Sequence, residues 1–354
     1  MTKLCILADA DSIHTQKWLD YFSGLNYDIH LISMRESDYK YSGNVKTYVL
    51  KPMYKNKSSY IFLARKVKKL VKKINPDILH SYYASSYGFF GAVSGVRPFV
   101  VSVWGSDVYL FPKSNGIYKK ILNYVFNKAD VLCSTSYDMA KEIKSYNSEK
   151  EIVITPFGVD VNLFSKISEI FEEESMTIGI AKSLEKIYSI DTLIKALRIV
   201  IDRTNDTSIK LKIIGDGSER KNLINLTEQL NLNKNVEFVG RVKNTEVPQY
   251  INKVDVMCLC SLSESFGVSA IEASACERPV IASNCGGLKE VIKDNETGLL
   301  FEPQNENELA DKIEYLYKNK SIAKEMGKEG RRVVLDMYDW EQNVKTMSDL
   351  YERL

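Results

Sequence analysis

The chain has 354 residues, of which 44% are hydrophobic and 27% are charged. This length exceeds the usual size of one domain, so we expect two domains, and no apolar run reaches the roughly 18–20 residues that a transmembrane helix needs. The three histidines and six cysteines show no metal-ligand spacing, which argues against a metal site and predicts reduced thiols in a cytoplasmic protein.

Short apolar runs alternate with helical periodicity along nearly the whole chain. The first series of predicted strands covers residues 4–8, 29–34, 78–81, 99–103, 131–134 and 152–154. The second series covers residues 176–180, 211–214, 236–239, 256–259, 280–282 and 298–301. Strands that alternate with helices form βαβ units and parallel sheets. The sequence therefore predicts an α/β protein with two Rossmann-like domains.

The two series meet in an acidic stretch, residues 165–175, which we interpret as a solvated connector. We therefore expect domains at residues 1–165 and 166–339, with a C-terminal helix at 340–354 that packs back on the first domain. Residues 1–165 contain 22 lysines and arginines against 14 acidic residues, whereas the remainder contains 26 against 32. Opposite charge balances suggest that the two domains have different partners.

A strongly basic helix is predicted at residues 61–74. Its apolar residues recur at helical spacing and would face the core. Its cations are Arg65, Lys66, Lys68, Lys69, Lys72 and Lys73. One interpretation is a surface helix with its lysines in water; the other is a dock for an anionic bilayer, where each basic residue contributes about 1 kcal/mol. We expect no nucleic-acid partner, because no stacking aromatics interleave with the lysines.

Polar residues follow several predicted strands of the first domain. His14 comes after the first strand, His80 ends the third, and Asp107 follows the fourth. A lone histidine is usually structural. However, ligands bind at the carboxyl ends of strands in open α/β sheets, so these three residues are candidates for lining a ligand site.

Two lysines follow the first strand of the second domain. Lys182 and Lys186 precede a helix, and both cations and helix amino termini attract a diphosphate. Lysines in a loop are more often solvated, but this position favours the diphosphate interpretation. The glycine turn at residues 215–217 is either a tight turn or a ligand contact. No Gly-x-Gly-x-x-Gly motif follows the first strand of the chain, which argues against a nicotinamide dehydrogenase.

The segment at residues 263–273 leads from a buried strand into a helix. It places Glu264 and Glu272 eight positions apart among small and apolar residues. A buried carboxylate is costly unless something hydrogen-bonds it. The pair therefore predicts a polyhydroxyl ligand at the end of this strand.

Together these motifs resemble the glycosyltransferases of family 4, the retaining family with the GT-B fold. The resemblance spans nearly the whole chain and rests first on the Glu-x7-Glu element Glu264–Glu272 and on Ala181-Lys182…Lys186. Residues 155–164, 286–290 and 297–301 support it. It implies two Rossmann-like domains that face each other across a cleft.

The resemblance also implies roles for individual residues. Glu264 would hold hydroxyls of the donor sugar, Glu272 the ribose, and Lys182 with Lys186 the diphosphate. The other implied donor-binding residues are Ser265, Phe266, Gly267, Val268, Gly240 and Val242; the implied acceptor side contains His14, Asp107 and His80. The family needs no metal or other cofactor. Where it commonly has Gly-Arg, this chain has Ala181-Lys182, which replaces a forked guanidinium with a point charge.

The implied activity is transfer of a sugar, with retention, from a nucleotide diphosphate donor to a hydroxyl group. By family frequency the donor is a UDP-sugar, and the acceptor is a saccharide or lipid-linked saccharide in bacterial lipopolysaccharide or capsule synthesis. Two alternatives stay open: a sugar-nucleotide epimerase of the same fold, and a non-catalytic sugar-nucleotide-binding subunit of a partner transferase. We expect a cytoplasmic protein that associates peripherally with the inner face of the cell membrane through its basic helix.

Overall fold

A computed structural model describes residues 1–52, 57–146, 149–172 and 175–354, the side chains of Lys57 and Ser58 excepted. Part of the predicted acidic connector, Glu173 and Glu174, lies outside the described residues. Within the described ranges, none of the helices has the combination of length and apolar character needed to cross a bilayer. The chain forms two compact units, Met1–Pro156 with Val344–Leu354, and Phe157–Asn343.

The first unit contains one parallel sheet of seven strands in the order β3-β2-β1-β4-β5-β6-β7. Its strands are β1 (Thr2–Leu7), β2 (Tyr27–Ser33), β3 (Val45–Val49), β4 (Ile78–Tyr82), β5 (Phe99–Val103), β6 (Val131–Ser134) and β7 (Glu151–Ile154). Its helices are α1 (Ile13–Ser23), α2 (Lys57–Ile74), α3 (Ser86–Ser94), α4 (Ser106–Tyr109), α5 (Phe111–Ser114), α6 (Gly116–Lys128) and α7 (Tyr137–Lys144).

The second unit contains a parallel sheet of six strands in the order β10-β9-β8-β11-β12-β13. Its strands are β8 (Thr177–Ala181), β9 (Lys210–Ile214), β10 (Val236–Gly240), β11 (Val256–Leu259), β12 (Val280–Ser283) and β13 (Gly298–Phe301). The remaining helices are α8 (Ile190–Thr204), α9 (Arg220–Gln229), α10 (Val247–Ile251), α11 (Val268–Ala275), α12 (Leu288–Val291), α13 (Glu306–Lys318), α14 (Lys320–Met337) and α15 (Trp340–Glu352). The predicted fold class, two parallel α/β domains, is confirmed.

Both sheets have the doubly wound strand order, which reverses direction once. The reversal falls between β1 and β4 in the first sheet and between β8 and β11 in the second. Ligands of such sheets bind in the crevice at this switch point, outside the carboxyl ends of the strands. The loops after β8 and β11 are the segments that carry Lys182 and Glu264.

One strand was not predicted. β3 (Val45–Val49) lies at the edge of the first sheet, and its residues are half-buried or exposed. Since an edge strand has only one neighbour and is partly open to water, its sequence, Val-Lys-Thr-Tyr-Val, lacks the continuous apolar run that marks a buried parallel strand.

The first unit ends at Pro156, earlier than the predicted boundary after residue 165. The segment that follows is hydrogen-bonded to the second unit. The side chain of Asn252 accepts the backbone N–H of Ile167 at 2.7 Å, and the backbone carbonyl of Asn252 accepts the hydroxyl of Ser168 at 2.6 Å. These bonds explain why the stretch before the acidic connector belongs to the second unit.

The end of α15 packs on the first unit through a buried polar cluster. The ring of His80 contacts the hydroxyl of Tyr351 through Nδ1, at 2.6 Å, and the hydroxyl of Ser102 through Nε2, at 2.8 Å. His80 is fully buried, because β4 continues to Tyr82 and places it inside the strand. The expectation that His80 lines a ligand site is therefore corrected: it is a structural residue.

Burial lowers the pKa of His80 to about 3 from an ordinary value of 6.5. Between these values the unfolded chain binds a proton that the folded chain does not, so stability rises with pH in this window. We expect acidification from about pH 7 to about pH 5 to remove about 2 kcal/mol of unfolding free energy through His80 alone. Urea unfolding of the wild type and of His80→Gln across this range measures the difference in slope. Equal slopes would contradict the assignment, whatever the overall stability of the variant.

Candidate active site

A buried ion pair lies at the switch point of the second sheet. Lys182 follows β8, Glu264 lies in the loop after β11, and the Lys182 Nζ donates to Glu264 Oε2 at 2.7 Å. Only 12% of the lysine side chain and 11% of the glutamate side chain are exposed. The hydroxyl of Ser261 donates to the same carboxylate oxygen at 3.3 Å. The two residues are far apart in sequence, and the neighbouring strands β8 and β11 bring them together.

The surroundings of Lys182 keep it charged. Burial is the largest single effect and lowers the pKa of Lys182, but the charge and hydrogen bond of Glu264 together with the charges of Tyr188 and Glu272 outweigh it, so the pKa is raised. The ammonium also lies 4.7 Å from the centre of the Tyr188 ring, within the range of a cation–π contact. The site therefore holds a lysine cation paired with the Glu264 carboxylate.

Two glycine turns support the backbone of this pair. The Gly287 N–H donates to the Glu264 carbonyl at 2.9 Å, and a β-carbon on Gly286 would lie only 1.9 Å from the same oxygen. A β-carbon on Gly215 would lie 1.9 Å from the Lys182 carbonyl. Only glycine permits such close approach of two backbone segments. The glycine turn at residues 215–217 is thus a tight turn that packs on the lysine loop.

The amino end of α11 is held between the core and β8. The ring of Phe266 is buried and packs edge-on against Phe157 and Tyr338. Gly267, with φ of +107°, begins the helix, and the Ser269 hydroxyl donates to the Ala181 carbonyl at 2.9 Å. The ring of Phe266 is therefore part of the core, and only its backbone is left for a ligand.

The other predicted donor-side residues are partly accessible to solvent. Ser265, Val268, Glu272, Gly240 and Val242 are half-buried. Gly240 ends β10, and its carbonyl accepts the Gly215 N–H at 2.8 Å, which links it to the turn beside Lys182.

Lys186 is not brought to the ion pair. It is exposed, lies on a 3₁₀ turn and lines a groove beside α8 and α9 together with Asp191 and Glu219. Its contact with a diphosphate stays a prediction.

The first unit has a cavity of about 690 Å³ at its own switch point. Residues after β1, β2, β3, β4 and β5 contribute to it. Its lining consists of Asp9, Ser12, Met34, Arg35, Pro52, Tyr60, Tyr82, Tyr83, Ser85, Ser86, Tyr87 and Trp104. The Trp104 ring lies 4.9 Å from that of Tyr82 and 5.9 Å from that of Tyr83, and Arg35 pairs with Asp9 at 3.3 Å.

The predicted acceptor-side residues relate to this cavity differently. The ring of His14 lies 5.7 Å from that of Trp104, which lines the cavity. Asp107 is only 1% exposed, and its carboxylate accepts backbone N–H groups of Ala84 and Gly105, both at 2.8 Å. It joins the loops after β4 and β5 and does not line the cavity, which corrects that expectation.

The aromatic and basic lining of the cavity was missed by the sequence analysis. Tyr82 and Tyr83 stand at the end of β4. The predicted strand ended one residue too early, and His80 was the predicted ligand residue instead. Arg35 follows β2, and no ligand-binding residue was predicted after this strand. Tyr82, Tyr83 and Arg35 are the first residues after the predicted strands 78–81 and 29–34, so an inspection of the residues that directly follow each strand would have found all three.

Two doubly wound parallel sheets, each with polar residues gathered at its switch point, define the class of GT-B glycosyltransferases. Two family models match the chain: "Glycosyl transferases group 1" over residues 162–333 and "Glycosyl transferase 4-like" over residues 3–136. The chain therefore belongs to the family 4 glycosyltransferases, as the sequence resemblance predicted.

Three known proteins illustrate the similarity. An uncharacterized glycosyltransferase of Methanocaldococcus jannaschii is 29% identical over 342 residues, 94% of this chain and 90% of the relative. The N-acetyl-alpha-D-glucosaminyl L-malate synthase of Bacillus anthracis is 25% identical over 303 residues, 82% of this chain and 78% of the relative. The crystal structure of HepE from Anabaena in complex with UDP-glucose has a TM-score of 0.85 at 17% identity and covers 100% of both chains, so the two share the fold.

We expect Gly286→Ala to lower the unfolding free energy by at least about 2 kcal/mol, because the new methyl group meets the Glu264 carbonyl and alanine disfavours φ of +47°. Gly116→Ala is the matched control, since nothing lies within 4 Å of its added β-carbon. Urea denaturation of both variants tests the supporting role of the turn. Equal stabilities would show that the loop after β12 does not hold Glu264.

Proposed function

We propose that this glycosyltransferase moves a sugar from a nucleotide diphosphate donor to a hydroxyl group of a saccharide or lipid-linked saccharide, with retention of anomeric configuration. The observation that carries the proposal is the buried Lys182–Glu264 pair at the switch point of the second sheet. HepE, which shares the fold, binds UDP-glucose, and this supports a UDP-sugar as the donor. The pathway we propose is the synthesis of a bacterial surface polysaccharide.

Lys182 would stabilise the leaving group. When the bond between the anomeric carbon and the diphosphate breaks, the diphosphate oxygen takes the electron pair and gains negative charge. A cation that is already buried and oriented stabilises such charge without reorganisation, and the raised pKa of Lys182 keeps it protonated. The backbone at Phe266, Gly267 and Val268, at the amino end of α11, would add to this attraction.

Glu264 would position the donor sugar rather than attack it. Its carboxylate is held by Lys182 and Ser261, so it is fixed to accept hydrogen bonds from sugar hydroxyls. The acceptor oxygen would then form the new bond on the face that the diphosphate leaves, and its proton would pass to a leaving phosphate oxygen. Because the new bond forms on the face that the diphosphate leaves, the configuration is retained without a protein nucleophile.

Glu272 and the end of β10 would hold the nucleoside. Glu272 lies on α11 and interacts electrostatically with Lys182, so a ribose whose hydroxyls bind Glu272 would leave its diphosphate close to the lysine. Gly240 and Val242 would meet the base through their backbone. Ser265 would add a further polar contact to the donor.

The cavity of the first unit supports a saccharide acceptor. The rings of Tyr83 and Trp104 offer an aromatic lining with a few polar groups, the composition typical of small-molecule sites. His14, beside Trp104, would contribute from the rim.

We expect Lys182→Met to lower the rate of UDP release from a UDP-sugar by about 100-fold or more, because it removes the charge that stabilises the leaving diphosphate. Lys182→Arg restores the residue that the family commonly has and should retain most of the activity. Lys234→Met, at an exposed position of the second unit, is the control for loss of a lysine charge and should keep the wild-type rate. An equal loss in both methionine variants would show that the effect is not specific to Lys182. A wild-type rate in Lys182→Met would overturn the site assignment.

Product analysis separates the three candidate activities. Incubation with a panel of UDP-sugars and saccharide acceptors should release UDP and form a glycoside that keeps the donor's anomeric configuration. A new sugar nucleotide without UDP would indicate an epimerase. Binding of the donor, seen as a rise in melting temperature, without any product would indicate a non-catalytic subunit.

We further propose that catalysis needs no metal, since Lys182 supplies the positive charge that a divalent cation would otherwise bring to the diphosphate. Among the described residues, no group of three or more potential ligands is arranged to hold a metal ion. UDP release should therefore continue at the wild-type rate in excess EDTA. Loss of activity in EDTA, restored by Mg²⁺ or Mn²⁺, would contradict this.

A further inference from the structure

One face of the first unit is basic and lacks carboxylates. The helices α2, α3 and α6 share one core, with α3 packed against both of the others. The sequences of all three helices contain no aspartate or glutamate. Their exposed cations on α2 and α6 are Arg65, Lys66, Lys69, Lys72, Lys73, Lys119, Lys120 and Lys128; we call the outward surface of these two helices the basic face.

The surface helices of the second unit are different. There, cations pair with carboxylates one turn away: Lys195 with Asp191 on α8, Lys318 with Glu314 on α13, and Lys328 with Glu325 on α14. Interleaved charges of this kind are typical of a solvated helix. Among the described residues, no cation of α2 forms an ion pair with a carboxylate. Lys72 and Lys73 lie in the last turn of α2, where the negative end of the helix dipole stabilises them without a carboxylate. The other cations of α2 have no such stabilisation.

The basic face also exposes large apolar side chains. Near the amino end of α2, Ile61 is 56% exposed and Phe62 is 62% exposed, and on α6 Ile117 is 54% exposed. Leu63 and Val67, which face the core, are buried. The exposed apolar residues therefore lie on the same side of α2 as the cations. Exposure of the apolar side chains to water is unfavourable. An anionic bilayer surface suits both features, because the apolar groups enter the acyl boundary while the cations meet lipid phosphates.

We infer that the basic face docks on an anionic lipid bilayer, with Ile61 and Phe62 inserted and the lysines of α2 in contact with lipid phosphates. Each basic residue near such a surface contributes about 1 kcal/mol of attraction, and two inserted apolar side chains add to this through burial. The charge complementarity and the apolar anchors together select a membrane over a soluble acidic partner.

The position of this face also bears on the acceptor. Tyr60, next to Ile61, is 40% exposed and lines the aromatic cavity of the first unit. A bilayer in contact with Ile61 and Phe62 would therefore lie beside the cavity. If the cavity binds the acceptor, as the proposed function has it, a bilayer beside the cavity favours an acceptor that is itself held in the membrane. The docking itself is independent of the proposed sugar transfer, since vesicle binding needs neither donor nor acceptor.

Sedimentation with vesicles tests the docking. The protein should bind phosphatidylcholine vesicles that contain about 30% phosphatidylglycerol far better than pure phosphatidylcholine, and less as salt rises. The triple variant Lys66→Gln, Lys69→Gln, Lys73→Gln should bind about 100-fold more weakly. The double variant Ile61→Ser, Phe62→Ser should lose about tenfold or more.

Matched controls lie in the second unit. The triple variant Lys234→Gln, Lys253→Gln, Lys293→Gln removes the same charge from exposed positions and should bind like the wild type. The double variant Ile167→Ser, Met337→Ser removes side chains that are 68% and 52% exposed and should also bind like the wild type. An equal loss in test and control variants would show that only net charge matters and would overturn the proposal.

Insertion can be measured directly. Phe62→Trp should be quenched by vesicles of brominated phosphatidylglycerol, whereas Met337→Trp should not. Absence of quenching at Phe62→Trp, or absence of wild-type binding to anionic vesicles, would overturn the proposal. So would tight binding of a single-stranded RNA oligonucleotide that depends on the α2 lysines while vesicles are ignored. UDP release measured in parallel, without vesicles, shows whether the transferase assignment stands independently.

Discussion

The candidate site of the second unit depends on one buried contact, the ion pair between Lys182 and Glu264. Taking two charges out of water costs several kcal/mol each, and their attraction offsets this only with good geometry and further hydrogen bonds. Here Ser261 supplies one such bond, and the backbone turns at Gly286 and Gly215 fix the two loops. The pair adds little to net stability, but it prepares a charged site before any ligand arrives. This explains why so much of the surrounding chain is glycine, serine and tightly packed backbone.

The fold and the positions of these two residues were predictable because both follow from patterns along the chain. Buried parallel strands produce continuous apolar runs, and the doubly wound order brings the loops after β8 and β11 together. Lys182 and Glu264 were therefore both expected at the ends of these strands, although the ion pair between them was not predicted. The edge strand β3 escaped prediction because its exposed face accepts polar residues. The early end of the first unit was not predicted, because it depends on hydrogen bonds from Ile167 and Ser168 to Asn252, which is distant in sequence.

The acceptor side was predicted less well, because side-chain direction depends on the last one or two residues of a strand. Since β4 runs past His80 to Tyr82, both of these side chains are buried inside the first unit, and the next residue, Tyr83, lines the cavity. Asp107 follows β5 as expected, but its carboxylate accepts hydrogen bonds from nearby backbone N–H groups. In both cases local backbone geometry decided between structural and ligand-facing positions.

The discontinuous first unit has a consequence for biosynthesis. Its sheet is complete by Pro156, but the hydroxyl that meets the buried His80 belongs to Tyr351, which follows the whole second unit in sequence. At ordinary ribosomal rates the intervening chain takes roughly 10–40 s to make. During that interval the nascent first unit has an uncovered polar pocket and an unpacked patch where α15 will lie.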